Sequence, residues 1–269
     1  MTNINRSQFQ AFPYHLVLPS PWPILTSFAL LISAIAAVMS FHGFANGGSL
    51  LSLGLILTVS VMALWFRDIV AEGTYLGDHT TQVQRGLSIG VALFIVSEVF
   101  AFLSVFWAFF HSSLAPTIEI GQTWPPLGIT ALDPFAIPFL NTLLLLSSGA
   151  TITYAHHALI QGDRKGAMVG SIITIIFALI FTLFQYIEYV DAAFTMSDSV
   201  YGTVFFASTG LHGLHVIIGT IFIGVGLLRI IAYHFTDTHH LGLESAILYW
   251  HFVDVVWLFL FIAVYYWGS

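Results

Sequence analysis

Apolar residues occur along this chain in long unbroken runs, not in the alternation of a half-buried strand. A membrane-crossing helix needs about 20 apolar residues at 1.5 Å rise each. Seven runs qualify, from Trp22 to Phe41, Leu50 to Phe66, Gly86 to Phe110, Pro138 to Ala155, Gly166 to Ile187, Val200 to Leu228 and Ser245 to Trp267. Backbone groups find no water inside lipid, so a spanning segment is a helix or a strand of a closed barrel. The period-2 pattern of barrel strands is missing. The pattern predicts an all-α, polytopic membrane protein with seven transmembrane helices.

Composition agrees. The chain is 58% hydrophobic and 7% charged, where a soluble domain carries about 25% charge. Such a chain has almost nothing with which to solvate a globular surface. Cysteine is absent, which excludes a disulfide framework and thiolate metal sites. The N-terminal stretch "MTNINRSQFQAFPYHLVLPSPWP" has one Arg and no apolar h-region, and is expected to carry no cleaved address.

Seven crossings put alternate connections on opposite sides. One side takes Arg6, Arg67, Arg85, Arg164, Lys165 and Arg229, which are all six basic residues. The other takes Glu119, Asp133, Glu188, Asp191 and Asp198. The positive-inside rule then predicts a cytoplasmic or matrix N-terminus and an external C-terminus. That orientation is inverted relative to a seven-helix G-protein-coupled receptor. There is no internal repeat of the inverted-transporter kind. The longest connection, from about His111 to Ile137, carries Pro116, Pro125, Pro126 and Pro134 and is expected to be a fixed cap.

Polar residues inside the spans are the candidates for chemistry. Glu98 is the only charge between Gly86 and Phe110. His212 and His215 are three apart in span six, and His251 and Asp254 three apart in span seven; that spacing shares a helix face. A charge at mid-membrane costs about 2.5–3.5 kcal/mol on insertion scales, so each is expected to be neutral, paired or facing a cavity. Ser97, Ala101, Ser104 and Ala108, with Gly86 and Gly90, make a stripe of small residues beside Glu98, which predicts a helix–helix seam there.

Three readings of these groups stay open on spacing alone: a proton path through Glu98, a metal or haem site built from the 12 histidines, and polar ties between helices. Against a metal, the pairs His156–His157 and His239–His240 are sequence neighbours, and neighbours on a helix point in different directions. The H-x-x-H-H spacing of membrane di-iron enzymes is absent, and His212 with His215 would need further ligands. In "WFRDIVAEGTYLGDHTTQVQRG", Arg67, Asp68, Glu72, Asp78, His79 and Arg85 accompany Trp65 and Tyr75. Such a segment suits an anionic lipid headgroup, or is a solvated loop whose ion pairs contribute little. Arg229 is expected at the same face.

The segments "PSPWP", "WFRDIVAEGTYLGDHT", "SEVFAFLSVFWAFFHSSLAP", "WPPLGI", "LNTLLLLSSGATITYAHHAL", "TGLHGLHVIIG" and "HFVDVVWLFLFIAVYYWGS" resemble the cytochrome c oxidase subunit III family over nearly the whole chain. The resemblance implies one membrane domain: a matrix-side segment over 1–21, helices one and two over 22–66, a matrix-side loop over 67–85, and helices three to seven over 86–269. It implies two helix bundles around a V-shaped cleft that holds phospholipid. It implies no haem or copper in this chain, haem a, haem a3 and copper lying in partner subunits. It implies partners in subunits I and II, small accessory subunits and a respiratory supercomplex with the cytochrome bc1 complex, and no nucleic acid. The family's activity is electron transfer from cytochrome c to O2 coupled to proton pumping in the mitochondrial inner membrane. The family's buried, carbodiimide-reactive carboxyl matches Glu98, with Asp254 a second buried carboxyl. Its lipid contacts match Trp65, Arg67, Glu72, His79, His215 and Arg229. The chain departs from the family at Phe66, where Trp is common. No catalytic residue and no metal ligand is expected. Glu98 is expected to be a mostly protonated carboxyl near His215, next to lipid or trapped water. The rival reading is a stand-alone proton-coupled transporter acting through Glu98.

Overall fold

Most of the apolar runs become helices that outlast the runs. In the computed structural model, which describes residues 12–269, the helices are α1 (Trp22–Phe41), α2 (Gly47–Ala71), α3 (Thr81–Leu114), α4 (Ile137–Ile160), α5 (Arg164–Asp191), α6 (Val200–Ile231) and α7 (Leu241–Leu260). Single π-helical turns extend α2 over Glu72–Leu76 and α7 over Phe261–Tyr266. All seven are long and apolar enough to cross a membrane, and there is no strand among the described residues. Arg6 lies outside the described residues.

The extra length corrects the loop expected over 67–85. Residues Arg67 to Leu76 continue α2 and its π turn, and Thr81 already opens α3. Only four residues connect them. The apolar pattern stops where the hydrocarbon stops, but a backbone goes on bonding to itself in the headgroup layer. With 34 residues, α3 is about 51 Å long at 1.5 Å per residue, well beyond the ~30 Å apolar core. Gly77, at φ 69°, takes the left-handed conformation that ends the first helix. The Thr80 hydroxyl accepts from the Val83 N–H at 3.4 Å and starts the next.

The chain divides into two compact units, Met1–Leu87 and Ser88–Ser269. In the first, α1 and α2 form an antiparallel hairpin. Gly54 faces Ser33 so closely that a Cβ there would sit 2.8 Å from the Ser33 hydroxyl, and Ser33 and Thr58 share a hydrogen bond of 3.2 Å. The Trp22 indole donates to Asp68 at 2.5 Å, tying the start of α1 to the end of α2.

In the second unit α7 is the centre. Trp250, Trp257 and Leu260 are completely buried. The two indoles donate to α4, Trp250 to Ser148 and Trp257 to Thr142, both at 2.9 Å. Helices α4 and α5 close on small residues: a Cβ at Gly170 would lie 2.8 Å from that of Ala155. The Thr151 and Thr174 hydroxyls bond across that seam at 2.8 Å. Without a hydrophobic force between helices in lipid, such close approach and polar ties hold them together.

Opposite ends of this unit differ in charge. The Arg164 guanidinium donates to the carbonyls of Ile230 and Ile231, at 2.9 and 2.6 Å, at the end of α6. It also lies 3.4 Å over the Tyr233 ring. A cation at a helix C-terminus satisfies the last carbonyls and complements the dipole. At the far end Glu119 and Asp198 line one open pocket, and Trp124 of the proline-rich connection packs on Phe109 and Tyr201, with centroids 5.6 and 5.3 Å away. Glu188 is not in the acidic loop. It sits in the last turn of α5, almost fully buried.

Candidate functional site

Helix α3 packs through large residues. Phe102 and Phe109 are buried, while Ser97, Ala101, Ser104 and Ala108, with Gly86 and Gly90, are exposed. No described residue of this chain covers the small stripe. Phe102 meets the His215 ring at 4.9 Å and Phe252 at 5.9 Å; aromatic rings cover more area than Ala or Ser and claim the protein-facing side of the helix. Glu98 lies one turn before Phe102 on that side.

The result is an acid–base pair between α3 and α6. Glu98 Oε2 lies 2.8 Å from His215 Nε2, the carboxyl side chain 25% exposed and the imidazole 7%. His215 Nδ1 lies 2.8 Å from the Leu211 carbonyl oxygen. A carbonyl only accepts, so Nδ1 carries a proton and donates. A second proton must then lie between Nε2 and Oε2, because two bare acceptors would repel. Whichever atom holds it, an acid beside a neutral ring or a carboxylate beside an imidazolium, the pair is net neutral. That is how a carboxyl is tolerated mid-helix in an apolar run, where a lone charge is costly. The ring is walled by Phe102, Phe252 and Tyr249, whose centroid is 6.1 Å away.

His212, a turn earlier, points elsewhere. Its Nε2 lies 3.2 Å from the Val253 carbonyl, and its ring rests on Trp257 and Phe181 at 5.2 and 5.8 Å. The two histidines face different partners and do not converge on one ligand position. Asp254 and His251 do come together, against Gly149. A Cβ at Gly149 would meet the Asp254 Oδ2 at 2.9 Å and the His251 Nδ1 at 3.7 Å. Asp254 is buried, and its Oδ1 has no partner among the described residues. His251 bonds the Thr153 hydroxyl at 3.2 Å.

Sequence reasoning missed a third buried carboxyl. Glu188 accepts from the Tyr265 hydroxyl at 2.6 Å and from the Gln185 amide at 3.4 Å. The signal was present in "FQYIEY": Gln185 and Glu188 are three apart and share a face if the helix continues past Ile187. It went unread because the charge was taken as the helix end.

The residues proposed for lipid belong to both units. In the first unit Arg67 pairs with Asp68 at 2.8 Å. Glu72 and His79 gather with His15, which is 4.0 Å from Glu72 and 3.9 Å from Asp78. The Thr80 hydroxyl donates to the Pro13 carbonyl and holds that segment in place. Trp65 is half-buried one turn before Asp68. In the second unit Arg229 lies 4.2 Å over the Phe235 ring and packs against Gly242. It neighbours His234 and His239, whose pKa values are lowered first by burial and then by the Arg229 charge. His215 is not part of this group. It precedes Arg229 by 14 positions on α6, about 21 Å along the axis, so one headgroup cannot touch both.

Two groups of described residues have ligand atoms close enough for a metal ion: His15 with Glu72 and His79, and His156 with His240 and Glu244. Neither includes His212 or His215.

Comparison with known proteins identifies the family. The chain is 65% identical to the cytochrome c oxidase subunit 3 of Mycosarcoma maydis over 254 residues, which cover 93% of this chain and 92% of that one. It is 62% identical to the same-named protein of Podospora anserina and 63% identical to that of Neurospora crassa, each over 250 residues and 93% of both chains. The sequence model of the family described as cytochrome c oxidase subunit III matches residues 12–269. With a family match over the full described length, and seven apolar helices to go with it, the chain belongs to the cytochrome c oxidase subunit III family.

Proposed function

We propose that this chain is the non-redox third subunit of cytochrome c oxidase, the complex that passes electrons from cytochrome c to O2 and pumps protons. The family match over residues 12–269 carries the reading. On this reading the haems and copper belong to subunits I and II, and the chain packs against them and against small accessory subunits in the mitochondrial inner membrane. The clustering of Arg164 and Arg229 at the α6 end of the second unit supports a matrix-facing N-terminus and an external C-terminus by the positive-inside rule. Phospholipid headgroups are held by Trp65, Arg67, Glu72 and His79 of the first unit and by Arg229 of the second. The chain stabilises the complex and sustains proton uptake by subunit I.

The Glu98–His215 pair supports a structural role for the carboxyl over a transport path. The imidazole is tied at Nδ1 to the carbonyl of its own helix. It cannot hand a proton through its ring without breaking that bond. The deciding experiment is purification of the tagged chain in mild detergent. Recovery with a haem-containing complex of fixed stoichiometry is the expected result. A chain that purifies alone and conducts protons in liposomes would establish the transporter instead.

A further inference from the structure

The adjacent histidine pairs do diverge, yet one member of each meets the other. His156, near the end of α4, and His240, immediately before α7, bring their rings to a centroid distance of 5.4 Å. Glu244, in the first turn of α7, points between them. Its Oε1 is 3.1 Å from His240 Nε2 and 3.9 Å from His156 Nε2. The three ligand atoms all lie within 4.8 Å of one another.

The protonation pattern is that of a metal ligand. His240 Nδ1 is 2.9 Å from the Thr236 carbonyl oxygen, which can only accept. In the neutral ring the proton therefore sits on Nδ1, and Nε2 carries the lone pair. That Nε2 is inaccessible, in a side chain only 6% exposed, and its one close polar neighbour is the Glu244 carboxylate at 3.1 Å. His156 Nε2 is likewise buried and unbonded. Two nitrogen lone pairs shut away from water beside one carboxylate oxygen is a costly arrangement unless a proton or a metal ion sits between them. A backbone carbonyl orienting the far nitrogen of a ligating histidine is the usual outer support of a zinc site.

We propose that His156, His240 and Glu244 bind a divalent zinc ion at the basic end of the second unit. Two imidazoles and a carboxylate form a donor set that zinc accepts, with water as the fourth ligand. Two nitrogen donors argue against calcium and magnesium, which take oxygen. Ligands at 2.0–2.1 Å in a tetrahedron are about 3.3 Å apart, a spacing that the observed 3.1 and 3.9 Å bracket. Glu244 is 47% exposed, so its carboxylate has room to adjust and the ion has a way in. The ion clips the end of α4 to the start of α7. It performs no redox step.

The test uses the chain in the assembly in which it is purified, stripped with chelator and then equilibrated with buffered Zn2+ alone. Bound zinc per chain is measured by mass spectrometry. Against wild type, His240→Ala and Glu244→Gln are expected to lose one equivalent, with affinity at the site falling at least about 100-fold, beyond the 10–100-fold that an outer-shell change costs. The controls His157→Ala and His239→Ala, the diverging neighbours, keep it. Should His240→Ala fail to assemble, Glu244→Gln carries the test, since it preserves shape at an exposed position. Equal zinc in wild type and Glu244→Gln would overturn the site and leave an imidazolium–carboxylate pair in its place. So would a zinc-edge anomalous map with density only elsewhere in the assembly.

Discussion

Glu98 is tolerated because of one imidazole. His215 Nδ1 is fixed as a donor by the Leu211 carbonyl, so Nε2 and the carboxyl must share a proton across 2.8 Å. Glu98→Gln keeps a partner, because an amide N–H can donate to the bare Nε2. We expect normal assembly, near-normal turnover and a stability change under about 1 kcal/mol. Glu98→Leu strands a buried ring nitrogen and is expected to cost about 1–3 kcal/mol. Thermal denaturation of the purified assembly measures the difference. Equal loss of stability in both variants, or turnover collapsing in Glu98→Gln despite normal assembly, would show that ionisation of the carboxyl matters and that the pair is more than a tie.

Between helices, close approach does what apolar burial does in soluble proteins. Gly166 and Gly170 sit four apart on α5, and a Cβ at Gly170 would be 2.8 Å from both Ala155 Cβ and the Thr151 carbonyl oxygen. The backbone oxygen cannot swing aside. Gly170→Val is therefore expected to separate α4 from α5, break the Thr151–Thr174 bond of 2.8 Å and cost about 1–3 kcal/mol, in the range of overpacked cores. Gly213, where a Cβ would meet nothing within 4 Å, supplies the control; its substitution by Ala should be nearly silent. Melting temperatures of the two variants decide the matter.

In the second unit Arg164 and Arg229 sit at one end and Glu119 and Asp198 at the other. The proposed headgroup contacts are of two kinds. Arg67 has a side chain 63% exposed and shares its charge with Asp68, whereas Arg229 lies over an aromatic ring. Arg67→Ala and Arg229→Ala are each expected to lower the phospholipid retained per complex and to shorten its life during turnover. Quantitative lipid mass spectrometry on detergent-washed complex provides the check. Lipid content unchanged in both variants would remove the headgroup role and leave these arginines to their protein partners.

The crossings and their number were legible in the sequence, because a hydrocarbon layer imposes its thickness and its intolerance of charge on every span separately. Each run can be read without knowing its neighbours. Glu98 and Asp254 stood out for the same reason. Both ends of α1 and the start of α6 were legible, but most helix ends were not, since the apolar pattern marks where lipid ends and not where backbone hydrogen bonding ends; Arg67 and Glu188 were misplaced on that account. Nor was the face of α3 that packs within this chain, carried by Phe102 and Phe109, since which face is buried there depends on shapes carried by α6 and α7. Partnerships between distant residues belonged to the tertiary structure alone. Glu98 and His215 are 117 positions apart, and nothing in either run names the other. His156 and His240 were set aside because neighbours on one helix diverge, which is true along a helix and silent about two helix ends meeting.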